Sequence, residues 1–179
     1  MRHPTLIFLD LLDHRDEARF NIETYTDLPK GTAKANPDPL LGRHPNKSRE
    51  EVEALLPEIE AANEAGAGIF IAVNEFNGQR RKENLTRIRG IHADMDGASP
   101  DVLEAIRTKL PPTLEVETSG PANLHFYWLL EDGEAIDLET AEALNRRLVD
   151  MGADRAAIDV SRLLRLPGFR HMKYREGIS

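Results

Sequence analysis

The stretch RIRGIHADMDGASPDVLEAIRTKL, residues 87–110, changes its periodicity at a glycine. Up to Asp96 the side chains alternate, with Ile91, Ala93 and Met95 on one side and His92, Asp94 and Asp96 on the other. That alternation predicts a strand over 87–96 that carries both acids on one face. Beyond Gly97 the pattern becomes helical. Ser99 suits the N-cap, Pro100 the first turn, and Val102, Leu103, Ile106 and Leu110 a buried stripe.

The same reading extends outward in both directions. Upstream, GIFIAVN (68–74) predicts a short apolar strand. A helix is predicted from Ser48, with Val52, Leu55, Leu56 and Ile59 on one face and Pro57 as a kink point. Downstream, TLEVETS (113–119) and NLHFYWLL (123–130) are strands joined by GPA in a hairpin, and a helix over 137–151 ends at Gly152. From residue 68 the order is strand, strand, helix, strand, strand, helix. It implies an α+β fold, a largely antiparallel sheet with helices packed on one face, of RNA-recognition-motif or polymerase-palm type. Residues 27–48, rich in Pro, Gly, Asn and Lys, read as a long surface loop. The expected organisation is one domain, with an N-terminal α/β element and loop over 1–47 and the core over 48–179.

With 179 residues, 40% hydrophobic and 30% charged, the chain can bury a sizeable core. It has no Cys, which excludes disulfides and thiolate zinc sites and fits a reducing compartment. No signal peptide or bilayer-length apolar run is present, so the expectation is a cytoplasmic protein without membrane contact. The net charge of −8 alone argues against a nucleic-acid partner. Its distribution argues otherwise. Residues 50–64 and 131–142 carry six acids each, whereas RRKENLTRIR (80–89) has five basic residues and one acid, and RLLRLPGFRHMKYR (162–175) has five and none. Two basic segments around an acidic D-x-D suggest a polyanion site.

Three constellations could carry chemistry. Same-face residues on a strand are about 6.5–7 Å apart, so Asp94 and Asp96 can converge on divalent cations; a bare D-x-D is also a common solvent-facing strand end. Ser119 and His125 flank a small-residue turn whose backbone amides suit phosphate oxygens, although a lone strand histidine is more often structural. Asp159 is followed by Arg162, Arg165, Arg170 and Lys173, a pattern that fits either a metal-and-triphosphate grip or an amphipathic turn with solvated arginines.

Taken in order, HADMD, SGPANLH and IDVSRLLRLPG resemble the three motifs of the archaeo-eukaryotic primase superfamily, particularly its plasmid and phage primase and primase-polymerase branch, over about residues 68–175. The resemblance implies a palm-like primase catalytic core. Asp94, Asp96 and Asp159 would be catalytic metal ligands for Mg²⁺ or Mn²⁺. Ser119 and His125 would contact the incoming nucleoside triphosphate, and Arg162, Arg165 and Lys173 phosphate or template. The implied partner is single-stranded DNA. The chain departs from many relatives at Phe169 and His171, where they carry Thr and Asn, and its lack of Cys excludes the zinc knuckle some possess. Two other readings compete. IHADMDGA also resembles the opening motif of haloacid-dehalogenase-type phosphatases, which need a parallel sheet, and a non-catalytic, initiator-like single-stranded-DNA-binding module could use the same sheet. The ending KYREGIS, soon after the third motif, leads to the expectation of a core cut from a longer chain whose remainder is a helical domain or helicase.

Overall fold

The computed structural model describes residues 2–29, 32–33 and 35–173. Within them the elements are α1 (Pro4–Leu12), β1 (Phe20–Thr26), β2 (Gly42–Lys47), α2 (Arg49–Glu64), β3 (Ala67–Ala72), β4 (Glu75–Phe76), β5 (Leu85–Arg87), β6 (Gly90–Asp96), α3 (Pro100–Lys109), β7 (Leu114–Glu117), β8 (Asn123–Leu129), α4 (Leu138–Asp150) and β9 (Leu163–Arg165), with short 3₁₀ turns at Lys82–Asn84 and Arg155–Ala157. All pairings are antiparallel. They form three sheets, ordered β2-β1-β3-β9, β4-β5 and β6-β8-β7. The α+β class is therefore as expected, but the strands are divided among sheets, and the parallel sheet that a phosphatase reading needs is absent among the described residues.

Helix starts follow the local chemistry. Ser48 caps α2 in a capping box: its hydroxyl accepts from the Glu51 amide while the Glu51 carboxylate accepts from the Ser48 amide. Ser99 and Asp137 cap α3 and α4 by accepting from the Val102 and Thr140 amides. Pro57 lies within α2, which is continuous. Leu103 and Ile106 of α3 are buried, but Leu110 is largely exposed, because the helix ends at Lys109 and the stripe ends with it.

Residues 27–48 are not one loop, since β2 occupies 42–47 and pairs with β1. Its sequence, GRHPNK, has no strand-like alternation. It can pair because it is an edge strand, where Pro45 sacrifices no interior ladder bond, and because the register shifts between Phe20 and Ile22. The predicted strand over 87–96 is likewise interrupted at Ile88–Arg89. There Arg89 turns inward, with its Nε 2.7 Å from Asp13 and its Nη2 3.1 Å from Glu75 and 2.7 Å from the Arg19 carbonyl. Satisfying this buried guanidinium outweighs continuing the ladder.

Two larger cores position the site. Ala93, Met95, Leu124 and Phe126, on one face of β6-β8-β7, pack with Leu103, Ile106 and Leu148 of α3 and α4. On the opposite face Tyr127, Leu114 and Val116 join Ile69, Ile71 and Leu164 of the four-stranded sheet. His92, Asp94 and His125 share this second face, so they lie toward the space between the two sheets.

Candidate active site

The ladder register places the first two sequence constellations side by side. Asp94 is directly opposite His125, His92 opposite Tyr127, and Asp96 opposite Asn123. His125 Nε2 is 3.7 Å from Asp94 Oδ1, beyond a direct hydrogen bond. Burial, then the nearby charges of Asp154 and Asp96, push the Asp94 carboxyl up to about 6 against the opposing pull of Arg162 and Lys173. Burial pushes His125 down to about 3 and His92 to about 4, with Arg162 adding to both. At neutral pH the centre therefore holds a poorly compensated carboxylate beside two neutral imidazoles.

Ser119 is on the exposed β7–β8 turn, where its Oγ accepts from Asn123 Nδ2 at 3.0 Å. Asn123 Oδ1 also accepts from the Gly97 amide at 2.8 Å. One side chain thus links the turn after Asp96 to the turn carrying Ser119. His125 lies two residues deeper along β8.

Asp159 stands apart from the carboxylates of β6. Its Oδ1 accepts from both the amide and the hydroxyl of Ser161 at 2.8 Å, and Lys82 Nζ is 3.8 Å from its Oδ2. Burial would raise this carboxyl, but the Ser161 bonds and then Lys82 bring it below the usual range. Among the described residues no three His, Asp or Glu side chains form a group that could hold a metal ion. The three acids that the motifs suggest as one set are therefore a β6 pair and a separately held Asp159. The backbone around Asp159 is nevertheless fixed, because Asn145 Nδ2 donates to the Ile158 carbonyl and Asn74 Nδ2 to the Val160 carbonyl, both at 3.0 Å.

The cations also divide. Arg162 is half-buried, and its Nε has no partner. Arg165 donates from Nη2 to Asp27 Oδ1 at 2.9 Å and lies 5.0 Å above the Phe70 ring. Lys173 is half-buried and acts on the Asp94 charge. A cleft of about 100 Å³ between β7 and the segment after β9 is lined by Val116, Thr118, Arg165, Phe169, Arg170 and His171, among others. Sequence reasoning missed Asp154, His92, Asn123 and Asn145. Only the alternation of β6 carried any sign of them, through His92. Tyr127 is fully buried, and Trp128, partly exposed, packs on Phe126 with its Nε1 donating to the Leu110 carbonyl at 3.0 Å.

The donor set fits a hard divalent cation. Two carboxylates on one strand face, one of them pushed up by burial and then by the nearby acids, supply the oxygen ligands that Mg²⁺ and Mn²⁺ take. Among the described residues no helix is long and apolar enough to cross a membrane.

Residues 50–177 match the family described as the RepB DNA-primase N-terminal domain. No protein of curated function matches the chain in sequence. Three solved structures resemble it. The primase RepB′ has 22% identity and a TM-score of 0.66, with 94% of this chain and 51% of that one covered. The AEP domain of the cyanophage S-2L primase-polymerase has 21% identity and a TM-score of 0.69, covering 95% and 83%. The catalytic domain of RepB′ in complex with initiator DNA has 22% identity and a TM-score of 0.66, covering 97% and 81%. The chain thus spans about half the length of the first of these.

Proposed function

The chain belongs to the family of RepB DNA-primase N-terminal domains, and from that premise we propose that it is a template-directed nucleotidyltransferase that makes primers on single-stranded DNA in plasmid or phage replication, in the cytoplasm. The observation that carries the reading is the placement of Asp94 and Asp96 on the inter-sheet face of β6, with Asp94 in register with His125. A non-catalytic DNA-binding module has no use for a half-buried carboxylate among other acids, which repels phosphate.

Asp94 and Asp96 would hold Mg²⁺ or Mn²⁺. Such a cation, when bound, makes a 3′-hydroxyl a better nucleophile and offsets charge on departing pyrophosphate. The protein's own groups do the positioning. His125, neutral because it is buried, presents a hydrogen-bonding ring to a polyphosphate without the cost of deprotonation. Arg162, Arg165 and Lys173 supply positive charge on the opposite wall, and Ser119 marks the turn at the open end. A metal role for Asp159 is compatible with its bonds from Ser161, which occupy Oδ1 alone, while Lys82, 3.8 Å from Oδ2, would compete for that oxygen. Template would be held largely through its phosphates, so binding would weaken with salt.

The test is incorporation of labelled ribo- and deoxynucleotides on single-stranded templates with Mg²⁺ or Mn²⁺ and no primer supplied. Template-dependent products are expected. Binding of single-stranded DNA with no incorporation, even on a supplied primer, would favour the binding module.

A further inference from the structure

Several parts of the fold meet around Arg165. Its side chain is 15% exposed, and its partner Asp27 is 3% exposed. Nη2 donates to Asp27 Oδ1 at 2.9 Å, and the guanidinium lies 5.0 Å above the Phe70 ring, in a cross-strand pair with Phe70. Gly68 makes room for this arrangement, because a Cβ there would lie 2.8 Å from the Phe70 ring and 3.2 Å from Arg165 Nη1. Asp27 also fixes the chain that follows, as its Oδ2 accepts from the Met172 amide at 3.0 Å. Asn63 assists through the backbone of Arg170, donating to its carbonyl at 2.9 Å and accepting from its amide at 3.0 Å.

An arginine needed only for stability would be expected to spend more of its five donors internally. Here a single nitrogen is engaged among the described residues, and the group lines the cleft beside Val116, the residue opposite His125. We propose that Asp27 is a positioning residue, which orients Arg165 over Phe70 so that its remaining donors meet the polyphosphate of the incoming nucleotide, and which holds the 170–172 segment as the wall of that cleft. The proposal rests on the primase reading for the identity of the anion. The physical reason is preorganisation: a guanidinium already fixed loses less freedom when it binds phosphate in a forked geometry.

The experiment measures two things for the wild-type chain, Asp27→Asn, Arg165→Gln, the double variant and Phe70→Leu. One is the affinity for inorganic tripolyphosphate by calorimetry, and the other is KM and kcat for nucleotide in primer synthesis. Asp27→Asn should weaken tripolyphosphate binding and raise KM by about tenfold, with kcat changed less than about twofold. In the Arg165→Gln background the same substitution should add no further loss, since the contact with Arg165 is already gone and the amide oxygen can still accept from the Met172 amide. Phe70→Leu leaves the Met172 bond in place and should raise KM in the same direction, which keeps the test sound if Asp27→Asn folds poorly. Unchanged affinity in Asp27→Asn, or losses that multiply in the double variant, would overturn the positioning role. A wild-type chain that makes no primers yet binds tripolyphosphate in an Asp27-dependent way would remove the primase reading and leave the role standing; one that does neither would remove both.

Discussion

Asp94 and His125 face each other across the β6–β8 ladder, 3.7 Å apart, and burial moves their protonation in opposite directions. The carboxyl is pushed up to about 6 and the imidazole down to about 3, so near neutral pH the pair is a carboxylate beside a neutral ring rather than an ion pair.

A stability consequence follows for Asp94. Its folded carboxyl holds a proton more firmly than the unfolded one, so its contribution to stability falls as pH rises from about 4 to about 6. The buried neutral His125 and His92 act in the opposite sense, gaining stability as pH rises toward 6.5, the ordinary imidazole value. Comparing wild type with Asp94→Asn isolates the first effect. In chelator at pH 7.5 the variant should be the more stable by about 1–3 kcal/mol, and Mn²⁺ should raise the melting temperature of wild type only. Thermal unfolding from pH 4 to 8, with and without Mn²⁺, checks both.

The Asp13–Arg89 pair should behave as structural. Burial alone would raise the Asp13 carboxyl, but hydrogen bonds from Arg15 and Arg89 hold it well below the usual range. The stability it contributes is therefore present above about pH 4 and lost as pH falls below it. Asp13→Asn leaves Arg89 buried with less compensation and should cost about 3–5 kcal/mol at pH 7. Denaturant unfolding should show this loss together with a weaker acid dependence.

Gly90 tests how closely β6 and β8 must approach. An added Cβ would lie 2.1 Å from the Trp128 carbonyl oxygen and 2.9 Å from Leu129 Cα, both rigid backbone. Gly90→Ala should destabilise by more than about 2 kcal/mol and reduce activity through a displaced Asp94. Unfolding and activity measured on one preparation would show the two losses together.

Local signals made much of the fold legible. The helix start at Ser48, the Ser99–Pro100 start, the helix end at Gly152 and the alternation in β6 each depend on a few adjacent residues. Long-range pairing was not legible. β2 exists because β1 offers it an edge, and Arg89 leaves the strand pattern for Asp13, 76 residues away. The site divides in the same way. The shared face of Asp94 and Asp96 is a property of one strand, and the hairpin placed His125 on the next. The contact of Lys82 with Asp159, and the grip of Asp27 on Arg165 across 138 residues, depend on how distant segments meet.

Asn123 has a role that no motif signals. It accepts from the Gly97 amide and donates to Ser119, tying together the turns at the open end of the site. Asn123→Ala should reduce primer synthesis by about 10- to 100-fold while costing only about 1–2 kcal/mol of stability. Steady-state kinetics beside a melting curve would separate these effects.

The most direct measurement is primer synthesis by wild type, Asp94→Asn and Asp96→Asn on single-stranded DNA with Mg²⁺ or Mn²⁺, using variants shown to melt no lower than wild type. Template-dependent products are expected from wild type, with a loss of at least about a thousandfold in each variant. Products that persist undiminished in Asp94→Asn would rule out a catalytic role for the β6 acids.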